Sequence, residues 1–153
     1  CFFQALNFVH DYLTRLKERF HYHQKCSKVV AECMKKYTDE LCLIFDENLA
    51  WLESFFELGG ERHKALFVIM PSGSHWKLRG IPPNIDDRMN VRLQLPKEWA
   101  GLLETDLKEK SQIPGAVFCH KGRFISVWET QKDAIKALEY TLAQSRDVSL
   151  ENT

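Results

Sequence analysis

The first 37 residues constrain the fold more than any other stretch. Phe2, Leu6, Val9, Leu13, Leu16 and Phe20 fall at alternating spacings of four and three, which lays one apolar stripe along a helix. Cys26, Val29, Val30, Cys33 and Tyr37 carry a stripe onward. Neither Gly nor Pro interrupts the stretch, so residues 2 to 37 read as one long helix, or as two joined near His21 to His23. A single helix of ~36 residues is ~54 Å long, more than a small core can cover. Such a helix packs on its own sheet, on further protein or on a second copy.

The 153 residues suit one α+β domain with a helical arm. The 44% apolar content is enough for a core and excludes a disordered chain. The 21 basic and 21 acidic side chains cancel, so there is no global attraction to nucleic acid or to an anionic membrane. A local basic patch remains open. The five cysteines are scattered, odd in number and without a CxxC pair. They fit the reduced thiols of a cytoplasmic protein better than a disulfide framework. The longest apolar run, Ala65 to Met70, is strand-sized, so neither a membrane span nor a signal peptide is expected. Cys1 rather than Met opens the pattern, which reads as a chain that begins inside a longer protein.

Beyond the arm, Leu41 to Phe45 reads as a short strand, and Asn48 as the cap of a short helix ended by Gly59-Gly60. Lys64 to Met70 and His75 to Ile81 flank a Pro-Ser-Gly-Ser turn and form a hairpin. Residues 84 to 115 are mostly irregular, with short helical turns near Trp99 and over Thr105 to Lys110. A long ordered loop in a compact domain points to function. Ala116 to His120 and Arg123 to Glu129 form a second hairpin around Lys121-Gly122. Thr130 then caps a helix running to about Ser145, with Ala134, Ala137, Leu138, Thr141 and Leu142 as its buried stripe. The expected fold is α+β: about five strands, mostly antiparallel, with a long N-terminal helix and a C-terminal helix packed on one sheet face. It divides into a helical arm over 1–37, an α+β domain over 38–146 and a polar tail over 147–153.

No complete catalytic constellation is present. His23, Cys26 and Cys33 share a helix face but lack a fourth zinc ligand. Asp86-Asp87 is a carboxylate pair of the kind that binds Mg²⁺ or Mn²⁺, though its plainer reading is a solvated loop. Cys119 has no partner signature of a nucleophile. Arg79, Arg88 and Arg92 surround the long loop, with Lys97 and Trp99 following. Such a set suits phosphate clamping and base stacking, or pinning of the loop to the core.

Two segments of this region carry a resemblance. Residues 92–102, Arg-Leu-Gln-Leu-Pro-Lys-Glu-Trp-Ala-Gly-Leu, are similar to an R-L-P-L-P-E-x-W-R-G-L motif. Residues 111–120, Ser-Gln-Ile-Pro-Gly-Ala-Val-Phe-Cys-His, are similar to an S-G-I-P-G-x-x-F-x-H motif. On these the chain resembles the C-terminal half of the Myg family of metal-dependent hydrolases, itself similar to DHH phosphoesterases. The resemblance implies a metal-activated water attacking a phosphodiester, of the RNA 3′–5′ exonuclease type. It places the metal ligands, for Mn²⁺ or Mg²⁺, in an N-terminal half, and leaves no cofactor in this chain. This chain would then be a substrate-binding domain, partnered by its own N-terminal catalytic domain and by single-stranded RNA or another phosphodiester, with no membrane partner. The alternative is a degenerate, non-catalytic scaffold that serves interdomain packing or homodimerisation through residues 2–37.

The chain departs from the family pattern where Phe124-Ile125-Ser126-Val127-Trp128 replaces a Phe-Ile-Gly-Gly-His run. The added bulk favours a continued strand over an anion-binding turn. Gln112 also replaces the Gly of the second motif. The residues then expected to hold substrate are Arg92 and Lys121 on phosphate, with Ser111 and the Gly115 amide as donors. Arg123 is a further candidate, His120 would face the interdomain cleft, and Trp99 would fix the loop or stack on a base.

Overall fold

The structure is a computed structural model that describes residues 2–151, with side chains through Asp147. Cys1 and the last two positions of the expected polar tail lie outside the described residues. The long apolar pattern forms one continuous helix, α1 (Phe2–Lys36), without a break at His21 to His23. Its C-terminal third belongs to the core, where Cys26, Val30 and Cys33 are buried. Its N-terminal part projects from the body, with the whole stripe from Phe2 to Phe20 exposed.

Five strands form one mixed sheet in the order β1-β2-β3-β5-β4. They are β1 (Cys42–Ile44), β2 (Phe67–Ser72), β3 (His75–Gly80), β4 (Ala116–Cys119) and β5 (Ile125–Trp128). Both expected hairpins are present, β2–β3 and β4–β5, and β3 pairs with β5 to join them. β1 pairs parallel to β2, because the crossover through α2 (Trp51–Glu57) returns the chain in the same direction. Asn48 does not cap α2. Helix α2 starts after Ala50, whose amide donates to the Tyr22 hydroxyl at 3.2 Å, while the Asn48 side chain accepts from Lys77 at 3.2 Å. Gly59 ends α2 with φ of 86°, a conformation that suits glycine.

The period-two alternation of the strands splits the core into two layers. Phe67, Ile69, Leu78 and Trp128 face one side, against Ala134 and Ala137 of α4 (Gln131–Glu151), Leu107 of α3 (Glu104–Ser111) and Trp99. Leu43, Val68 and Met70 face the other, against α1 and α2. The Thr130 cap is present: the Asp133 amide donates to its hydroxyl oxygen at 3.1 Å, and the hydroxyl donates to the Asp133 carboxylate at 2.5 Å. Helix α4 runs past Ser145 to Glu151. No helix among the described residues is long and apolar enough to cross a membrane.

Cys26, Cys33, Cys42 and Cys119 are buried free thiols. Burial pushes the Cys33 thiol up to about 11 and the Cys119 thiol up to about 12, and raises Cys42 as well. A thiol that stays protonated in the folded state but ionises when unfolded opposes folding as pH rises past its unfolded value near 9. The urea midpoint is therefore expected to fall between pH 8 and pH 10, and to fall less in a Cys33→Ala/Cys42→Ala/Cys119→Ala variant. Equal slopes for the two proteins would contradict this.

Candidate functional site

The residues expected to hold substrate divide into a buried set and an exposed set. Trp99 is fully buried, stacked on Tyr140 at 5.0 Å between centroids and edge-on to Trp128 at 5.5 Å. It ties the loop to α4 and offers no face to a base. Its Nε1 has no hydrogen-bond partner among the described residues. Ser111 is buried, and its hydroxyl oxygen accepts from the Ile113 amide at 3.2 Å. Gly115 lies against the Asp133 carboxylate, where a Cβ would collide, and its carbonyl accepts from the Glu129 amide at 2.8 Å.

Arg92 is enclosed by backbone. Its guanidinium donates to the carbonyls of Pro82 (3.1 Å), His63 (2.7 Å), Ala65 (2.8 Å) and Gly60 (2.8 Å). It also lies over the rings of Phe55 and Phe56. The geometry makes Arg92 a fastener of the long loop, with its donors committed to carbonyls.

The exposed set is the β4–β5 turn. His120 and Lys121 are exposed, and His120 Nδ1 accepts from the Gly122 amide at 2.9 Å. Arg123 sits in the left-handed region with φ of 57°, which costs a branched-off side chain about 1–2 kcal/mol. Its guanidinium donates to the Leu95 carbonyl at 3.4 Å and to the Gln94 side chain. Arg123 and Lys97 line a groove of about 790 Å³ between residues 90–98 and the second half of α4. Arg92 borders the same groove. The structure thus brings the turn and the 92–98 segment together, and leaves Ser111 and Gly115 apart from them in the core.

The metal candidates do not assemble. Cys26 and Cys33 are buried, while His23 pairs with Glu57 at 3.5 Å. The Asn84 side-chain oxygen accepts from the amides of Asp86 and Asp87, and the Asp87 carboxylate is taken by Asn90. Among the described residues no group of three His, Cys, Asp or Glu could hold a metal ion.

The model of the MYG1_exonuc family, described as an uncharacterised protein family (UPF0160), matches residues 1–142. The chain belongs to this family. It is 52% identical over 145 residues to the MYG1 protein of Chlamydia trachomatis, covering 95% of this chain and 50% of that protein. It is 28% identical over 149 residues to a MYG1 protein of Schizosaccharomyces pombe, covering 92% of this chain and 45% of that one. It is 32% identical over 98 residues to the MYG1 exonuclease of Mus musculus, covering 64% of this chain and 25% of that one. The chain spans about half the length of the first two relatives. No solved structure matches.

One local strain lies at a position where the chain departs from the motif it resembles. Gln112 stands where the motif has Gly, and it closes α3 with φ of 59°. That position favours glycine as a left-handed helix end. The Gln112 side chain partly compensates by donating to the Glu109 carbonyl at 2.5 Å. The continued strand expected from Ser126-Val127-Trp128 is present as β5. Sequence reading passed over Lys77, whose outward face on β3 follows from the same alternation that buries Leu78.

Two stability outcomes follow from this MYG1-family site. Gln112→Gly is expected to stabilise the fold by about 1 kcal/mol in urea unfolding. Arg92→Ala is expected to destabilise it by about 3 kcal/mol, since four carbonyls lose charge-assisted donors. An Arg92→Ala protein as stable as the parent would show that the carbonyl cage does not hold the loop.

Proposed function

We propose that this chain is the substrate-holding domain of a MYG1-type exonuclease, gripping the phosphodiester backbone of single-stranded RNA. Hydrolysis would take place in the remaining half of such a protein, with Mn²⁺ or Mg²⁺ held by that half. The family membership and the exonuclease name of the mouse relative support the reaction class. The observation that carries the reading is Arg123. A guanidinium is kept at a left-handed turn position where glycine would relieve strain, beside exposed His120 and Lys121 at the rim of a groove. Strain retained at a charged, half-buried position that lines a groove points to a binding role.

The test is binding of short labelled single-stranded RNA to the chain across a salt series. Binding that weakens with salt is expected, and Lys121→Ala should flatten the log–log slope by about 0.7. Arg123→Gly should weaken binding while leaving the urea midpoint unchanged or raised, a split that a purely structural arginine does not produce. Absence of salt-dependent binding would contradict the reading.

A second reading rests on α1. Phe2, Phe3, Phe8 and Phe20 are each at least 60% exposed, and Leu6, Val9 and Leu13 are more than half exposed. A stripe of that size on a projecting helix is a packing surface. It would take the remaining half of a MYG1 protein, or a second copy where that half is not supplied. Light scattering at high concentration is then expected to show association, and Leu13→Glu to abolish it. A parent chain that stays monomeric would count against pairing of two copies.

A further inference from the structure

The sheet face that meets α1 and α2 is covered at one end only. Cys26, Val30, Cys33, Trp51 and Phe55 pack over Leu43, Val68 and Met70 of β1 and β2. Farther across, the same face of β3, β5 and β4 carries Lys77, Arg79, Ile125, Val127 and Phe118, all half-buried. The register sets Lys77 beside Val127 and Val127 beside Phe118, with Arg79 beside Ile125. Lys77 and Arg79 are two residues apart on one strand, so both point from this face, about 6.8 Å apart along it. Arg88 comes from the following loop, and the Arg79 guanidinium lies 6.0 Å from the Trp51 ring centroid.

Two of these cations, Lys77 and Arg79, are short of counter-charge. Arg88 pairs with Glu53 at 3.6 Å. Lys77 donates to the neutral Asn48 side chain at 3.2 Å. Neither Lys77 nor Arg79 forms an ion pair among the described residues. Burial, followed by the neighbouring cation, lowers the affinity of each for its proton. The chain has as many acidic as basic side chains, yet sets these like charges side by side on a partly desolvated surface.

We propose that this open face is a binding surface for single-stranded nucleic acid, with Lys77, Arg79 and Arg88 on successive phosphates and the bases laid on the Val127–Phe118 strip. The proposal rests on the substrate-holding reading and adds a second contact surface to it. Cations over an apolar floor suit a strand that offers both phosphates and base faces. A flat sheet face leaves bases accessible in a way that a deep pocket for one free anion does not.

The test compares two charge-matched variants of the full chain in RNA titrations at several salt concentrations. Lys77→Met/Arg79→Met is expected to lose at least tenfold in affinity and about 1.4 in salt slope. Lys108→Met/Lys110→Met, on the exposed side of α3, is expected to lose less than twofold. Should the β3 variant fail to fold, Arg88→Met and photocrosslinking of thiouridine-substituted RNA to the parent chain decide the matter. Arg88→Met should weaken binding severalfold, and crosslinks should map to residues 75–79 and 118–127. Equal losses in the two double variants would overturn the proposal in favour of unspecific attraction. Full competition by inorganic phosphate at low concentration would also overturn it, in favour of a small-anion site. Loss in Lys121→Ala with none in the β3 variant would overturn this surface and leave the substrate-holding reading standing. No RNA binding by the parent would overturn both.

Discussion

The guanidinium of Arg92 binds four carbonyls in two stretches of chain, residues 60–65 and Pro82, and so ties the irregular segment after β3 to both. Its donors reach the carbonyls of Gly60, His63, Ala65 and Pro82, and its own amide donates to Ile81 at 2.8 Å. Through it the irregular segment after β3 is fixed to the end of α2 and to the entry of β2. Unpaired carbonyls in these positions would be costly to bury, so one cation substitutes for secondary structure. Leu93 and Leu95 then reach the α4-side core, and Trp99 stacks on Tyr140. The groove beside Arg123 exists because this segment is held in place.

A consequence is a division of labour among the basic residues. Arg92 has its donors occupied by carbonyls and acts on the fold. Arg123 is partly engaged and strained. Lys121 is exposed, and Lys77 with Arg79 is half-desolvated without acidic partners. Electrostatic need for an anion therefore rises from the loop outward to the turn and to the open sheet face. On the proposed reading, a domain that holds substrate for a centre elsewhere uses such surfaces.

Local pattern made the elements legible, and long-range packing hid the site. The stripe of α1, the two hairpins and the Thr130 cap each depend on neighbours within a few residues, so the sequence showed them directly. Asn48 has the chemistry of a cap but not its place, since Tyr22, distant in sequence, supplies the partner of the Ala50 amide. Arg92 looked like a phosphate ligand because nothing in its neighbourhood reveals carbonyls 27 to 32 residues away. Trp99 and Ser111 lie in the two motifs yet are buried, while His120 at the end of the second is exposed. The Lys77–Arg79 face was readable as an alternation, but its openness depends on how far α1 and α2 extend across the sheet, which no local signal encodes.

On the proposed reading, phosphate-bearing strands meet this domain on its cationic sheet face and β4–β5 turn, away from the projecting helix. Backbone amide chemical-shift mapping during titration with a short single-stranded RNA tests it most directly. Perturbations are then expected to concentrate at residues 75–79, 118–127 and the adjoining 94–97 segment, with residues 2–20 unmoved. Perturbations confined to α1, or none at saturating RNA, would contradict it.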